Sequence, residues 1–213
     1  MYHNRNHDLY TPLSESFNWQ NLNILDWGGS KGNLLRSSNG KIFPTNYTSV
    51  DVDLEAITLG KKDYPEADWI YLDLYSPAYN PAGTASIQLP KKYDIIFSYS
   101  IFTHTSFEYF IETTDTLKTY LTPNGKIYVS MISQDNKKSL NNFRNKRVLQ
   151  YGSCNDFIDN DNDSYFYLVD NKIEEDVPFS CGHLLTFYNE IFLSKYGKIH
   201  KVNLSQLILE LTI

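Results

Sequence analysis

The sequence has little of several features that mark large classes of protein. Only 2 of its 213 residues are cysteine, which is too few for a disulfide scaffold. No run of about 18 apolar residues occurs, and residues 1–8 contain no apolar core of a signal peptide. Basic residues are also scarce, since 19 lysines and arginines face 25 aspartates and glutamates. The net charge of −6 disfavours a nucleic-acid binder, which would need a basic face.

These absences predict a soluble, cytoplasmic protein without a membrane span, whose partner is a small molecule or a peptide. They leave the oligomeric state open. The hydrophobic content of 41% is enough for one sizeable core, so we expect a single domain over residues 1–213.

Apolar runs that are typical of buried strands alternate with polar or helix-periodic segments. The runs cover residues 22–27, 47–52, 67–74, 93–99 and 126–132. Such alternation predicts an α/β fold, a doubly wound and mostly parallel sheet with helices on both faces. Before the last of these runs, apolar residues from Phe107 to Leu121 recur on one helical face. Thr105 and Glu108 are predicted to form a capping box at the start of that helix.

The second half of the chain predicts an insertion and a closing hairpin. Residues 134–182 begin basic and turn acidic, with too little apolar periodicity for a separate domain. We expect them to form a cap after the fifth strand, over the sheet edge where open α/β sheets bind ligands. Residues 206–213 are nearly continuously apolar, as a strand buried on both faces should be, and residues 198–202 predict its antiparallel partner.

The most informative segment is residues 23–35. A short apolar strand runs into Asp26, and a glycine turn at Gly28, Gly29 and Gly32 then opens a helix. Glycine tolerates a positive φ and has no Cβ to block the approach of a ligand, while the helix that follows presents free N–H groups. The segment therefore predicts a nucleotide-like ligand.

Acidic residues end the next two strands, about 22 to 25 residues apart. Asp51 closes the second strand, where a carboxylate can accept both hydroxyls of a ribose. Asp73 closes the third strand and is expected to accept the amino group of an adenine. Three strand ends of this kind form a repeated pattern, which is more specific than a single glycine motif.

At these residues the chain resembles the class I S-adenosylmethionine-dependent methyltransferases. The family's Leu-Asp-x-Gly-x-Gly-x-Gly motif is similar to residues 25–32, with Ser30 at the position of the middle glycine. Residues 91–104 resemble the fourth strand and its loop, residues 121–130 the turn and fifth strand, and residues 183–213 the last helix and hairpin. The resemblance implies a Rossmann-like sheet of seven strands, of which the last is antiparallel. It does not extend to residues 134–182.

The resemblance also implies S-adenosyl-L-methionine as the cofactor and methyl transfer to a small molecule or short peptide, at oxygen in preference to nitrogen. It gives the glycine loop to the amino-acid end of the cofactor, with Asp26 holding both the loop and the amino group. The residues assigned to the cofactor are Asp26, Gly28, Gly29, Ser30, Gly32, Asp51, Val52, Asp73, Leu74 and Ser98.

Two histidines are candidates for the general base, because an imidazole titrates near neutral pH. His104 follows the fourth strand and His183 precedes the last helix. The competing interpretations are a packed loop residue for His104 and a cap or polar contact for His183. The residues predicted to face the substrate are Tyr10, Phe102, Arg144 and Tyr165.

Other interpretations stay open at this point. The same fold can serve as a catalytically silent binding or interaction module. A nicotinamide dehydrogenase is weaker, because the glycines do not form Gly-x-Gly-x-x-Gly. Asp159, Asp161 and Asp163 imitate part of a calcium loop, but Ser164 replaces its turn glycine and a solvated loop is favoured, so no metal is predicted.

Overall fold

Five parallel strands form the first part of the sheet. The computed structural model describes residues 18–76, 80–133, 157–159, 165–168, 185–200 and 206–212. The five strands are β1 (Ile24–Trp27), β2 (Tyr47–Asp51), β3 (Asp68–Tyr71), β4 (Tyr93–Ser98) and β5 (Leu121–Ser133). They lie in the order β3-β2-β1-β4-β5. All four residues of β1 are buried, which explains why this strand has no polar alternation.

Five further strands complete the described sheet. They are β6 (Phe157–Asp159), β7 (Tyr165–Leu168), β8 (Leu185–Tyr188), β9 (Gly197–His200) and β10 (Leu207–Leu211). β10 pairs with β5 and runs antiparallel to β9, which gives the order 3-2-1-4-5-10-9. This order confirms the predicted seven-stranded, mostly parallel sheet that closes with an antiparallel strand. β6, β7 and β8 lie outside this seven-stranded order. β7 pairs antiparallel with both β6 and β8, and β8 pairs parallel with the end of β5.

Within the described ranges, four helices accompany these strands. They are α1 (Asn33–Ser37), α2 (Leu54–Asp63), α3 (Phe107–Lys118) and α4 (Glu190–Leu193), and 3-10 turns cover Trp19–Asn21, Pro44–Asn46 and Phe102–His104. Asp53 caps α2, because its side chain accepts hydrogen bonds from the amides of Glu55 and Ala56. None of the helices in the described ranges is long and apolar enough to cross a bilayer.

The start of α3 differs from the predicted capping box. Ser106 is the cap, since its Oγ accepts a hydrogen bond from the Tyr109 amide at 3.2 Å. The hydroxyl of Thr105 is buried with no hydrogen-bond partner in the described chain. The Thr105 carbonyl instead accepts a hydrogen bond from the Thr186 hydroxyl at 2.5 Å, a tertiary contact that local sequence does not reveal. Leu121, which we expected on the helix, opens β5.

The chain divides into two compact units. The first comprises residues 1–99, 112–129 and 213, and the second residues 100–111 and 130–212. In the first unit, Phe97 stacks between Trp19 and Tyr128, with ring centroids 5.8 and 5.5 Å away. In the second unit, Phe107 packs against Phe192 at 5.1 Å. In both units, aromatic rings thus pack against one another in the core.

Candidate cofactor site

The loop after β1 is fixed in a left-handed conformation at three positions. φ is 73° at Gly28, 50° at Ser30 and 82° at Gly32, after which α1 begins. The Gly28 amide donates to the Val50 carbonyl at 2.8 Å, so the loop is joined to β2 as well as to β1. A turn of this kind requires residues that tolerate positive φ, and the sequence supplies glycine at two of the three positions.

Ser30 occupies the remaining left-handed position, for which the family motif predicts a glycine. A non-glycine residue there costs roughly 1 to 2 kcal/mol, so the conformation needs support from its surroundings. Two contacts supply it. The Ser30 amide donates to Asp51 Oδ2 at 2.8 Å, and the Ser30 carbonyl accepts a hydrogen bond from the Ser49 hydroxyl at 3.3 Å.

Gly29 lies directly over Asp26. A Cβ at Gly29 would stand 2.8 Å from Asp26 Cγ and 2.5 Å from Ser49 Oγ, closer than real Cβ atoms approach. At Gly32, a Cβ would stand 2.8 Å from the Trp69 ring, and the same ring leaves no room for a Cβ at Gly60 of α2. The glycines are therefore required by close packing around the loop as well as by its backbone angles.

Asp26 lies beneath the loop and is only 3% exposed. The Tyr47 hydroxyl donates to Asp26 Oδ2 at 2.5 Å. Burial raises the pKa of Asp26 to about 7; the Tyr47 hydrogen bond opposes this rise, and the charge of Asp51 adds to it. Asp26 therefore lies in the protein interior against Gly29 of the loop, and its predicted role toward the loop and the cofactor stays a prediction.

Asp51 ends β2 and is shared by two backbone segments. Its Oδ2 accepts a hydrogen bond from Ser30, and its Oδ1 accepts one from the Asp53 amide at 2.9 Å. Burial raises the pKa of this carboxyl, while the two amides oppose the rise. A carboxylate offers about four acceptor sites, so both oxygens can also accept from hydroxyl groups of a ligand. Val52, between the two acidic residues, is half-buried.

Asp73 follows β3 and is held by Asn80. Asp73 Oδ1 accepts a hydrogen bond from Asn80 Nδ2 at 2.8 Å and one from the Tyr71 hydroxyl at 3.2 Å. The Asn80 hydrogen bond is the main cause that lowers the pKa of Asp73, so the group is a carboxylate at neutral pH. Asn80 also donates to the Leu74 carbonyl at 3.1 Å, which fixes both residues predicted for the adenine end.

Ser98 ends β4, and its hydroxyl lacks a hydrogen-bond partner. The residue is fully buried, and no group in the described ranges bonds to its Oγ. Buried polar groups are normally hydrogen-bonded, so an orphaned hydroxyl at a strand end is a place where a ligand would supply the partner.

These features fit the cofactor that the resemblance implies. The parallel strands β1, β2, β3 and β4 direct their carboxyl ends to one edge of the sheet, where open α/β sheets bind ligands. That edge carries the bare loop, the carboxylates Asp51 and Asp73, and the orphaned hydroxyl of Ser98. All of the predicted cofactor residues belong to the first unit.

The residues predicted for catalysis and for substrate binding lie either in the second unit or outside the described residues. His104 is exposed at the end of a 3-10 turn in the second unit, and its amide donates to the Ile101 carbonyl at 2.9 Å. Phe102 is fully buried, with its ring edge-on to Phe110 at 5.1 Å. Tyr165 begins β7 and is in register with Tyr188. Tyr10, Arg144 and His183 lie outside the described residues.

Sequence reasoning missed Tyr47, Ser49 and Asn80. The first two had a signal, because residues 47, 49 and 51 alternate along β2 and share the face that carries Asp51. The register of β1 and β2 sets Ser49 opposite Asp26. Asn80 had no comparable signal, since it reaches Asp73 from a loop.

Solved structures resemble this chain over nearly its whole length, although no family model and no curated protein matches it. An S-adenosylmethionine-dependent methyltransferase from Clostridium acetobutylicum has a TM-score of 0.52 and 15% identity, over 100% of this chain and 92% of its own. The glycopeptide N-methyltransferase MtfA, complexed with S-adenosyl-L-methionine, has a TM-score of 0.58 and 8% identity, over 98% and 94%. The DhpI–SAH complex has a TM-score of 0.54 and 12% identity, over 96% and 83%.

At identities of 15% and below, these likenesses concern the fold. They agree with the strand order 3-2-1-4-5-10-9 and with its antiparallel last strand. The protein therefore has the Rossmann-like fold of the class I S-adenosylmethionine-dependent methyltransferases.

Proposed function

We propose that this protein is an S-adenosylmethionine-dependent methyltransferase that acts on a small molecule or a short peptide, with oxygen as the preferred acceptor atom. The observation that carries the proposal is the set of groups at the carboxyl edge of β1 to β4. A tightly turned loop, two carboxylates and a buried hydroxyl without a partner share that edge.

Each group has a part in holding the cofactor. The loop from Gly28 to Gly32 takes the amino-acid end, because its glycines carry no side chain and allow a ligand to approach the backbone closely. Asp51 accepts from the ribose hydroxyls, and Asp73 with Leu74 takes the adenine. When bound, the cofactor supplies a methyl group on a sulfonium, which carries its own leaving group.

The protein's contribution is chiefly alignment, since holding two reactants in line removes much of the entropy cost of the reaction. An oxygen acceptor also loses its proton on methylation. His104 is our candidate to receive that proton, because it is exposed in the turn that follows β4. The argument for an oxygen acceptor rests on fewer observations than the argument for the cofactor. A nitrogen acceptor is the alternative.

Charge and fold likeness support the choice of acceptor class. The net charge of −6 disfavours nucleic acid, whose binding depends on neutralising phosphates. One of the solved structures with this fold, MtfA, is a glycopeptide N-methyltransferase, which is a precedent for a peptide-like acceptor on this scaffold. The residues that select the acceptor are expected in the insertion over residues 134–182.

Calorimetry with S-adenosyl-L-methionine tests the proposal, with NAD as the competing ligand. We expect the wild type to bind S-adenosyl-L-methionine and not NAD. Asp51→Ala should weaken binding by roughly tenfold or more, because it removes charged acceptors worth about 1.5 to 3 kcal/mol each. Asp63→Ala, an exposed aspartate at the end of α2, is the matched control and should bind as the wild type does.

Turnover is then measured with small-molecule and peptide acceptors, by formation of the demethylated cofactor. Failure of the wild type to bind S-adenosyl-L-methionine would show that the proposal is wrong. Tight binding without transfer to any acceptor in a broad panel would favour the silent binding module instead.

A further inference from the structure

Tyr47 connects β2 to the carboxyl beneath the glycine loop. It is the first residue of β2 and is fully buried. Its hydroxyl donates to Asp26 Oδ2 at 2.5 Å, and its ring packs edge-on against Trp69 at 6.1 Å. Asp26 in turn lies against Gly29, where a Cβ has no room. A line of contacts therefore runs from the core through Tyr47 and Asp26 to the loop.

The groups around Asp26 are poor in positive charge. From β2 it faces Tyr47 and the carboxyl of Asp51, and from α1 it receives only the backbone amide of Leu34. Its neighbour in register on β4 is Phe97. Within the described ranges, no lysine or arginine forms an ion pair with Asp26. The cation that would favour ionised Asp26 is therefore not supplied by these surroundings.

We propose that Tyr47 is a positioning residue of the cofactor site, whose hydroxyl holds Asp26 beneath the loop so that binding of a cationic ligand is coupled to release of the Asp26 proton. The inference rests on the proposed function, since S-adenosyl-L-methionine carries a sulfonium and an ammonium group. A positive charge brought to the loop favours the carboxylate over the carboxylic acid, and the proton leaves to solvent. By linkage, ionisation of Asp26 strengthens binding to the same extent.

The direction of the effect follows from the free protein. Burial raises the pKa of Asp26 to about 7, so both forms are present at neutral pH. Affinity for the cationic ligand should therefore rise between about pH 6 and pH 8. Removing the Tyr47 hydroxyl takes a donor from the carboxylate and favours the protonated form. The midpoint of the affinity profile should then move to higher pH by about one unit, the equivalent of one hydrogen bond to a charged group.

The test is calorimetry of S-adenosyl-L-methionine binding at pH 7 in two buffers that differ in ionisation enthalpy, which counts the protons released. The wild type should release roughly half a proton more than Asp26→Asn, in which only the ligand itself titrates. Affinity is then followed from pH 6 to pH 8. Tyr47→Phe should shift the midpoint upward, while Tyr120→Phe should leave it unchanged. Tyr120 is the matched control, because its hydroxyl donates to the Ile87 carbonyl at 3.3 Å, away from the loop.

The failures of the two proposals are distinguishable. If the wild type does not bind S-adenosyl-L-methionine, the proposed function is wrong and this inference falls with it. If the wild type binds but releases the same number of protons as Asp26→Asn, only the inference is overturned. Should Tyr47→Phe not fold, as judged by circular dichroism, the comparison of wild type with Asp26→Asn still decides whether the proton comes from Asp26. An unchanged midpoint in folded Tyr47→Phe would remove Tyr47 from the mechanism.

Discussion

At the scale of single residues, the conformation of the loop after β1 depends on the absence of side-chain atoms at its glycines as well as on its hydrogen bonds. Gly29 is the clearest case, because its place over Asp26 and Ser49 leaves no room for a methyl group. The motif Leu-Asp-x-Gly-x-Gly-x-Gly leaves this position unspecified, so the motif alone does not require a glycine at residue 29. The structure adds a steric reason that involves the neighbouring strand.

Gly29→Ala should therefore lower stability by about 1 to 3 kcal/mol and weaken binding of S-adenosyl-L-methionine more than tenfold. The methyl group would push the loop off Asp26 and Ser49. Gly40→Ala is the control for the clash, since no atom lies within 4 Å of an added Cβ there; unlike Gly29, Gly40 has a positive φ of 81°, so this variant carries backbone strain without a steric collision. Urea unfolding and calorimetry measure the two effects. Equal binding by both variants would contradict the steric explanation.

His104 is the residue on which an acid–base role depends. If it receives the acceptor's proton, His104→Ala should lower kcat by about 100-fold, remove the acidic limb of the pH–rate profile and leave cofactor affinity unchanged. His183→Ala is measured in parallel, because His183 is the second candidate. Full rates in both variants would mean that neither histidine is the base.

At the scale of elements, the closing hairpin is held by a close backbone contact. Gly197 begins β9, and a Cβ there would collide with the Glu210 carbonyl of β10. The apolar pattern of residues 206–213 predicted this hairpin, because a strand covered on both faces is apolar without alternation. The pattern does not indicate that Gly197 is needed for the approach of the two strands.

Gly197→Ala should destabilise the protein by about 1 to 3 kcal/mol, because the hairpin backbones must separate to admit the methyl group. Lys198→Ala, the next residue along the same strand, is exposed and should change stability by less than about 0.5 kcal/mol. Chemical denaturation of both variants provides the measurement. A difference below 0.5 kcal/mol, roughly the error of the method, would show that the hairpin accommodates the group.

Sequence patterns located most elements and failed where tertiary contacts decide. The runs that predicted β1 to β4 were right to within about three residues. β1 and β4 are mostly apolar because they are buried, whereas the residues of β3 are exposed or only partly buried. The predicted capping residue of α3 was wrong by one position: Thr105 and Ser106 both carry hydroxyls, but Ser106 accepts the Tyr109 amide while the Thr105 carbonyl is bonded to Thr186. The strands β6 to β8 were not predicted, because the segment around them has no clear apolar period.

The candidate site shows the same division. Asp26, Asp51 and Asp73 were predicted because they lie at or just beside the carboxyl ends of parallel strands, which meet at one edge of the sheet. Asn80 was not found, since it reaches Asp73 from a loop, and Tyr47 was overlooked although it alternates with Asp51 along β2. Local pattern thus predicts candidate groups at the sheet edge, whereas the contacts that support them require the fold.

At the scale of the whole molecule, burial of Asp26 makes global stability depend on pH. The pKa of this carboxyl rises from 3.8 to about 7 on folding, so between these values the folded chain holds a proton that the unfolded chain has lost. Stability therefore falls as the pH rises from about 4 to about 7, and the loss is complete above that range. A shift of this size corresponds to a few kcal/mol.

Asp26→Asn should therefore be more stable than the wild type at pH 8, by up to a few kcal/mol, with a much smaller difference at pH 5. Asparagine keeps an acceptor for the Tyr47 hydroxyl and carries no charge in the interior. Thermal unfolding of the ligand-free protein at both pH values gives the comparison. Asp63→Asn, an exposed substitution, should not reproduce it. Parallel stability curves for wild type and Asp26→Asn would contradict the prediction.

The ring of Trp69 gives the loop an optical consequence. It lies against Gly32 of the loop and Gly60 of α2, and its indole nitrogen donates to the Tyr64 carbonyl at 2.9 Å. Indole emission responds to its immediate surroundings, so any displacement of Gly32 alters the light that this side chain emits. The protein thus contains an intrinsic fluorophore beside its glycine turn, which allows loop movement to be followed without an attached dye.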